Sequence, residues 1–69
     1  MARTLENLQA VRYWSDGQWC LLKESTGWVI GFERGEDADW ALKTSLKHYE
    51  QAELIPYADV PERMRRYVE

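Results

Sequence analysis

One cysteine, one histidine and two prolines in a 69-residue chain leave little material for catalysis, cross-linking or metal binding. A lone Cys20 cannot form an intramolecular disulfide or a cysteine-based zinc cluster, and it suits a reducing compartment, most simply the cytoplasm. Gly31 and Gly35 lack the spacing and the following lysine of a phosphate-cradling loop. There is no run of 18 apolar residues, and residues 1–11 lack the apolar stretch of a signal peptide, so a soluble, cytoplasmic chain without membrane contact is expected. Excess positive charge is also missing. A net charge of −3 argues against a general nucleic-acid binder, whose affinity rests on neutralising phosphates.

The scarce reactive groups do not combine into a site. Cys20 and His48 are formally a nucleophile and a base, but Cys20 is expected on the core face of a strand, where a thiol is inert. His48 with Glu50 has no recognisable ligand spacing. The expectation is a non-enzymatic protein with no cofactor and no metal.

What the chain has is tryptophan. Trp14, Trp19, Trp28 and Trp40 fall in a chain short enough to form one domain, residues 1–69, with a single modest core. A chain of this size buries only about 60% of the surface that it exposes when unfolded, so aromatics or a homodimer would have to compensate.

The clearest local signal is Asp16-Gly17 between two aromatic, strand-favouring runs, which predicts a two-residue hairpin with Trp14 opposite Trp19, Tyr13 opposite Cys20 and Val11 opposite Leu22. Ser25-Thr26-Gly27 reads as a three-residue loop into residues 28–33, setting Leu22 opposite Ile30 and Cys20 opposite Phe32; a four-residue loop would instead shift that strand by one and swap its faces. Together these give a three-stranded antiparallel meander over about residues 10–33. Its core face carries Val11, Tyr13, Cys20, Leu22, Ile30 and Phe32; the other carries Trp14, Trp19, Leu21 and Val29. Thr4 to Leu8 reads either as one helical turn capped by Thr4 or as a lead into the first strand.

Beyond Gly35 the period changes. Ala38, Ala41, Leu42, Leu46, Tyr49 and Ala52 follow a three-four spacing, predicting an amphipathic helix over about residues 37–52 packed on the meander. Pro56 forces an extended stretch at 54–57, with an edge strand left open, and Asp59 with Pro61 predicts a short C-terminal helix at about 60–68. The fold class is α+β. An aromatic-rich meander is similar to small SH3-like or Tudor-like barrels, in which Trp14, Trp19 and Trp28 would line a groove or cage. A helix at 37–52 stands where such a barrel needs strands, and this favours an open sandwich.

Two surfaces are candidates for holding a protein partner. Trp40 lies opposite the apolar stripe of its helix, beside Glu33, Glu36, Asp37 and Asp39, and this set suits a partner with a basic surface. Trp14, Trp19 and Leu21 on the second sheet face form the other. Each has a plainer reading: acids at a helix start complement its dipole, and the C-terminal helix could cover the sheet face as a second small core. Arg63, Arg65 and Arg66 read as a solvated helix face, with nucleic-acid binding as an alternative. The leading expectation is a small inhibitor or adaptor, of the kind that phages and mobile elements make as blockers; a structural homodimer subunit is a further alternative.

Overall fold

The structure, a computed structural model, describes residues 5–66. A turn of 3-10 helix, Leu5–Asn7, leads into β1 (Leu8–Ser15), followed by β2 (Gln18–Leu21), β3 (Phe32–Glu33), α1 (Glu36–Leu46) and β4 (Ala52–Pro56). Two further 3-10 turns, Tyr57–Asp59 and Glu62–Met64, close the described chain. The architecture is α+β, an antiparallel sheet with one helix, as the change of period predicts.

Every strand of the sheet pairs with β1. Gln9 pairs with both Phe32 and Pro56, and Arg12 with both Leu21 and Glu53. A strand has two edges, so β2 and β3 lie end to end along one edge of β1 and β4 runs along the other. The hairpin forms as its sequence dictates: Asp16 (φ 53°) and Gly17 (φ 79°) adopt the positive angles of a type I′ turn, setting Trp14 opposite Trp19 and Tyr13 opposite Cys20. The Leu22 amide donates to the Val11 carbonyl at 2.9 Å. The next loop also keeps its expected length: Glu24 N–H donates to Trp28 O at 2.8 Å, Ile30 N–H to Leu22 O at 3.1 Å, and Lys23 bridges Val29.

Three expectations are corrected. First, Phe32 does not oppose Cys20. β2 covers only Arg12 to Ser15, and the free edge of β1 at Leu8 and Gln9 takes up Glu33 and Phe32 instead. The segment 10–33 is therefore not a side-by-side meander, because β1 is longer than the hairpin and its remaining backbone groups need partners. Second, the helix ends at Leu46 rather than near 52. Its last turn tightens, with Lys47 N–H to Thr44 O at 3.2 Å and His48 N–H to Ser45 O at 3.0 Å. Residues 52–56 are drawn off by five register pairs with β1, which settles the open question of an edge strand. Third, residues 60–68 do not form a single helix. After the short turns, Arg65 bridges Val29 in parallel; Tyr67 and Val68, and the cap at Thr4, lie outside the described residues.

One face of the sheet is covered by the helix and the other in part by the C-terminal segment. On one, α1 rests against β1, β3 and β4 through a narrow stripe of buried Ala38, Ala41 and Ser45 above buried Val11. Small side chains let the helix backbone come close, and Leu46, which the spacing had placed inside, is 47% exposed. On the other face, the C-terminal segment folds over a core of Leu8, Ala10, Val29, Tyr57 and Val60, with Leu21, Ile55 and Met64 packed around it. The plainer reading of that face therefore holds for its lower half.

The fully buried Tyr57 ties this layer down. Its hydroxyl donates to the Val29 carbonyl at 2.8 Å and accepts from the Arg66 amide at 2.9 Å. Among the described residues no buried side-chain nitrogen or oxygen lacks a partner, and no helix is long and apolar enough to cross a membrane.

Candidate functional site

The residues picked out from the sequence separate onto opposite sides of the sheet. Trp14 and Trp19 stand on the upper half of the face whose lower half the C-terminal segment covers. Their rings meet edge to face at 5.3 Å, and the Arg12 guanidinium lies 4.4 Å from the Trp19 ring centroid. Arg12 also forms an ion pair with Glu53 on the neighbouring strand. This ladder of Glu53, Arg12, Trp19 and Trp14 satisfies itself: a cation already occupies a tryptophan face, and each ring covers part of the other. Leu21 is half-buried against the core beneath. Trp28 is exposed in its own loop, and among the described residues no ring contact joins it to Trp14 or Trp19.

Trp40 behaves differently. Its ring is 65% exposed, the most open large apolar side chain among the described residues. It sits where two depressions meet. One, of ≈ 310 Å³, is an apolar trough floored by Leu22, Ile30 and Phe32 and walled by α1, ending at His48 and Tyr49. The other, of ≈ 290 Å³, opens past Trp40 and is lined by Gly31, Glu33 and Asp37. The trough lies between α1 and residues 22, 30 and 32, over which the helix does not close. Leu22, Ile30 and Phe32, expected as closed core, are only half-buried.

The acidic residues divide similarly. Asp37 and Glu33 line the mouth beside Trp40. Glu36 and Asp39, with Asp37, also occupy the first turn of α1, whose cap residue Gly35 provides no side-chain hydrogen bond to the free amides. Their negative charge there offsets the positive end of the helix dipole, so two roles coexist at Asp37.

Behind the far end of the trough, Tyr49 stacks on Tyr13 with ring centroids 4.0 Å apart and planes 17° from parallel. Burial, then the neighbouring Tyr49 hydroxyl and to a smaller degree Cys20, push the Tyr13 phenol above its ordinary value of 10.0. The three-four spacing assigns Tyr49 to the helical stripe. In fact it lies past the helix end, and its ring forms part of a wall. The trough was hidden in the sequence because its floor residues read as ordinary core.

The other chemistry-bearing groups stay apart. Cys20 is half-buried with its sulfur 4.0 Å from the Gln18 carbonyl, and His48 rests edge-on to Tyr49. No three His, Cys, Asp or Glu side chains converge among the described residues as metal ligands would. Arg65 donates to the carbonyls of Val60 (2.7 Å) and Ala58 (2.6 Å), and Arg66 pairs with Glu24 at 2.7 Å. Two of the three C-terminal arginines thus bind their own chain. No protein-family model matches this sequence, and neither the curated proteins nor the solved structures contain a significant match to it.

Proposed function

We propose that this chain is a small, non-enzymatic protein-binding module. It acts in the cytoplasm as an inhibitor or adaptor by occupying a partner's surface, in the manner of the small blockers that phages and mobile elements make. The observation that carries this reading is Trp40: a largely exposed indole at the junction of an apolar trough and an acidic mouth, contributing little to the core. Tryptophan with a large accessible face is the side chain most enriched at binding hot spots, and carboxylates beside it select for a basic partner surface. The self-contained Trp14/Trp19/Arg12 ladder has less to offer, because its cation and its rings are already paired.

The nucleic-acid alternative loses support from the same hydrogen bonds that tether Arg65 and Arg66. The test is affinity capture with tagged wild-type protein, a Trp40→Ala variant and a Trp14→Ala/Trp19→Ala variant, read by mass spectrometry. The reading expects a protein retained by the wild type and by the double variant but lost with Trp40→Ala. A partner lost only with the double variant, or retained equally by all three baits, would overturn it.

A further inference from the structure

The trough and its mouth together define what they can hold. Leu22, Ile30, Phe32 and Ala41 offer an apolar surface of the volume that one or two bulky side chains fill, at the lower end of the roughly 300–1,000 Å³ typical of ligand sites. The trough and the mouth adjoin at Trp40, so an occupant that reaches both joins an apolar group to a second, polar one, as a chain segment does. The two ends of the trough differ in charge. At the Trp40 end stand Glu33 and Asp37, with Glu36 and Asp39 on the same helical turn; at the other end stand His48 and Tyr49, with no carboxylate among the described residues lining the trough there.

Resting on the binding role proposed above, we infer that the occupant is a short segment of a partner protein carrying one bulky apolar anchor followed on one side by Lys or Arg. The anchor lies in the trough against Leu22, Ile30 and Phe32. The basic residue crosses the Trp40 ring to Asp37 at the mouth, where the indole face and that carboxylate attract it together. The apolar contact supplies most of the affinity. Asp37 is exposed, so its charge sets direction and encounter rate more than strength.

Selection of a random peptide display library on the immobilised chain tests this. The expected winners share a bulky apolar residue with Lys or Arg to one side and no requirement for charge on the other. A synthetic winner titrated calorimetrically should lose at least about 30-fold in affinity to Trp40→Ala, the loss that a hot-spot tryptophan produces. Selection on an Asp37→Lys variant should return acidic flanks in place of basic ones. Both variants change exposed positions, and thermal melts verify that each is folded.

Winners without a charge preference, winners indifferent to Trp40→Ala, or no enrichment at all would overturn the inference. So would a Trp40-dependent increase in mass with concentration by light scattering, which would make a second copy of the chain the occupant. The two proposals fail separately. If a lysate partner depends on Trp40 while the selected peptides show no basic flank, the ligand chemistry is wrong and the module reading stands. If no captured protein depends on Trp40, the module reading itself falls.

Discussion

Replacing Tyr57 by phenylalanine deletes one oxygen from a site with no solvent access. Among the described residues that oxygen donates to the Val29 carbonyl and accepts from the Arg66 amide, and so links the loop between β2 and β3 to the end of the described chain. The ring stays, so apolar burial is nearly unchanged and the loss isolates the polar contribution. Two hydrogen bonds at about 1 kcal/mol each give a loss of about 2 kcal/mol, more if the exposed backbone groups find no water. A domain of this length has a total stability of roughly 3–10 kcal/mol, so the change is a substantial fraction of the whole. The melting temperature should fall by about 8–16 °C, from about 4–8 °C per kcal/mol for domains of this size. Urea unfolding followed by tryptophan fluorescence gives the free energy directly, with an unchanged m-value showing that the transition stays two-state. A loss under about 0.5 kcal/mol would refute the view that this hydroxyl fastens the C-terminal layer to the sheet.

Trp40→Ala should leave stability within about 0.5 kcal/mol of wild type while abolishing partner binding, because the ring is mostly in water; a large fall in urea midpoint would make it a structural residue. Gly35, at φ 102° and ψ −132°, occupies backbone space that side chains avoid although nothing crowds its Cβ direction. Gly35→Ala should therefore cost about 1–3 kcal/mol in chemical denaturation through strain alone. Arg12→Ala should cost about 1 kcal/mol, mostly through the indole contact; the coupling to Glu53→Ala in a double-mutant cycle should be under about 1 kcal/mol and shrink in high salt, since both side chains are well exposed. The raised Tyr13 phenol sets the sign of an alkaline effect. Its folded form holds the proton more tightly than the unfolded form, so stability is intact below pH 10 and declines as pH rises toward and through the folded-state pKa. Tyr13→Phe should flatten that decline in melting scans between about pH 9 and 12, and an equal decline in the variant would assign the effect to other groups.

Local chemistry was the legible part of this chain. Asp16-Gly17 and Ser25-Thr26-Gly27 fix their turns within a few residues, so the hairpin register and the Lys23–Val29 alignment could be read directly. Trp40 could be set on the outer side of its helix because helical period does not depend on partners. The competition for β1 could not be read. Phe32 and Ile55 are both plausible neighbours for any strand, and only the spare length of β1 past the hairpin decides that Phe32 meets Gln9. Ala52 fits both the helical stripe and a strand, and cross-strand pairing prevailed over helical propensity. The trough was concealed as well, because Leu22, Ile30 and Phe32 read as closed core and are only half-buried.

The central position of β1 also has a consequence for how the chain assembles. Its pairing with β2 closes over a two-residue turn and belongs to the microsecond events of hairpin formation. Its pairing with β4 joins residues such as Ala10 and Ile55, across almost the whole sequence, and must await loop closure. Between those moments one edge of β1 is an open template, and any strand of similar pattern competes for it. A free peptide with the sequence of β4 should therefore act as a decoy during refolding, trapping the chain with its own last strand displaced.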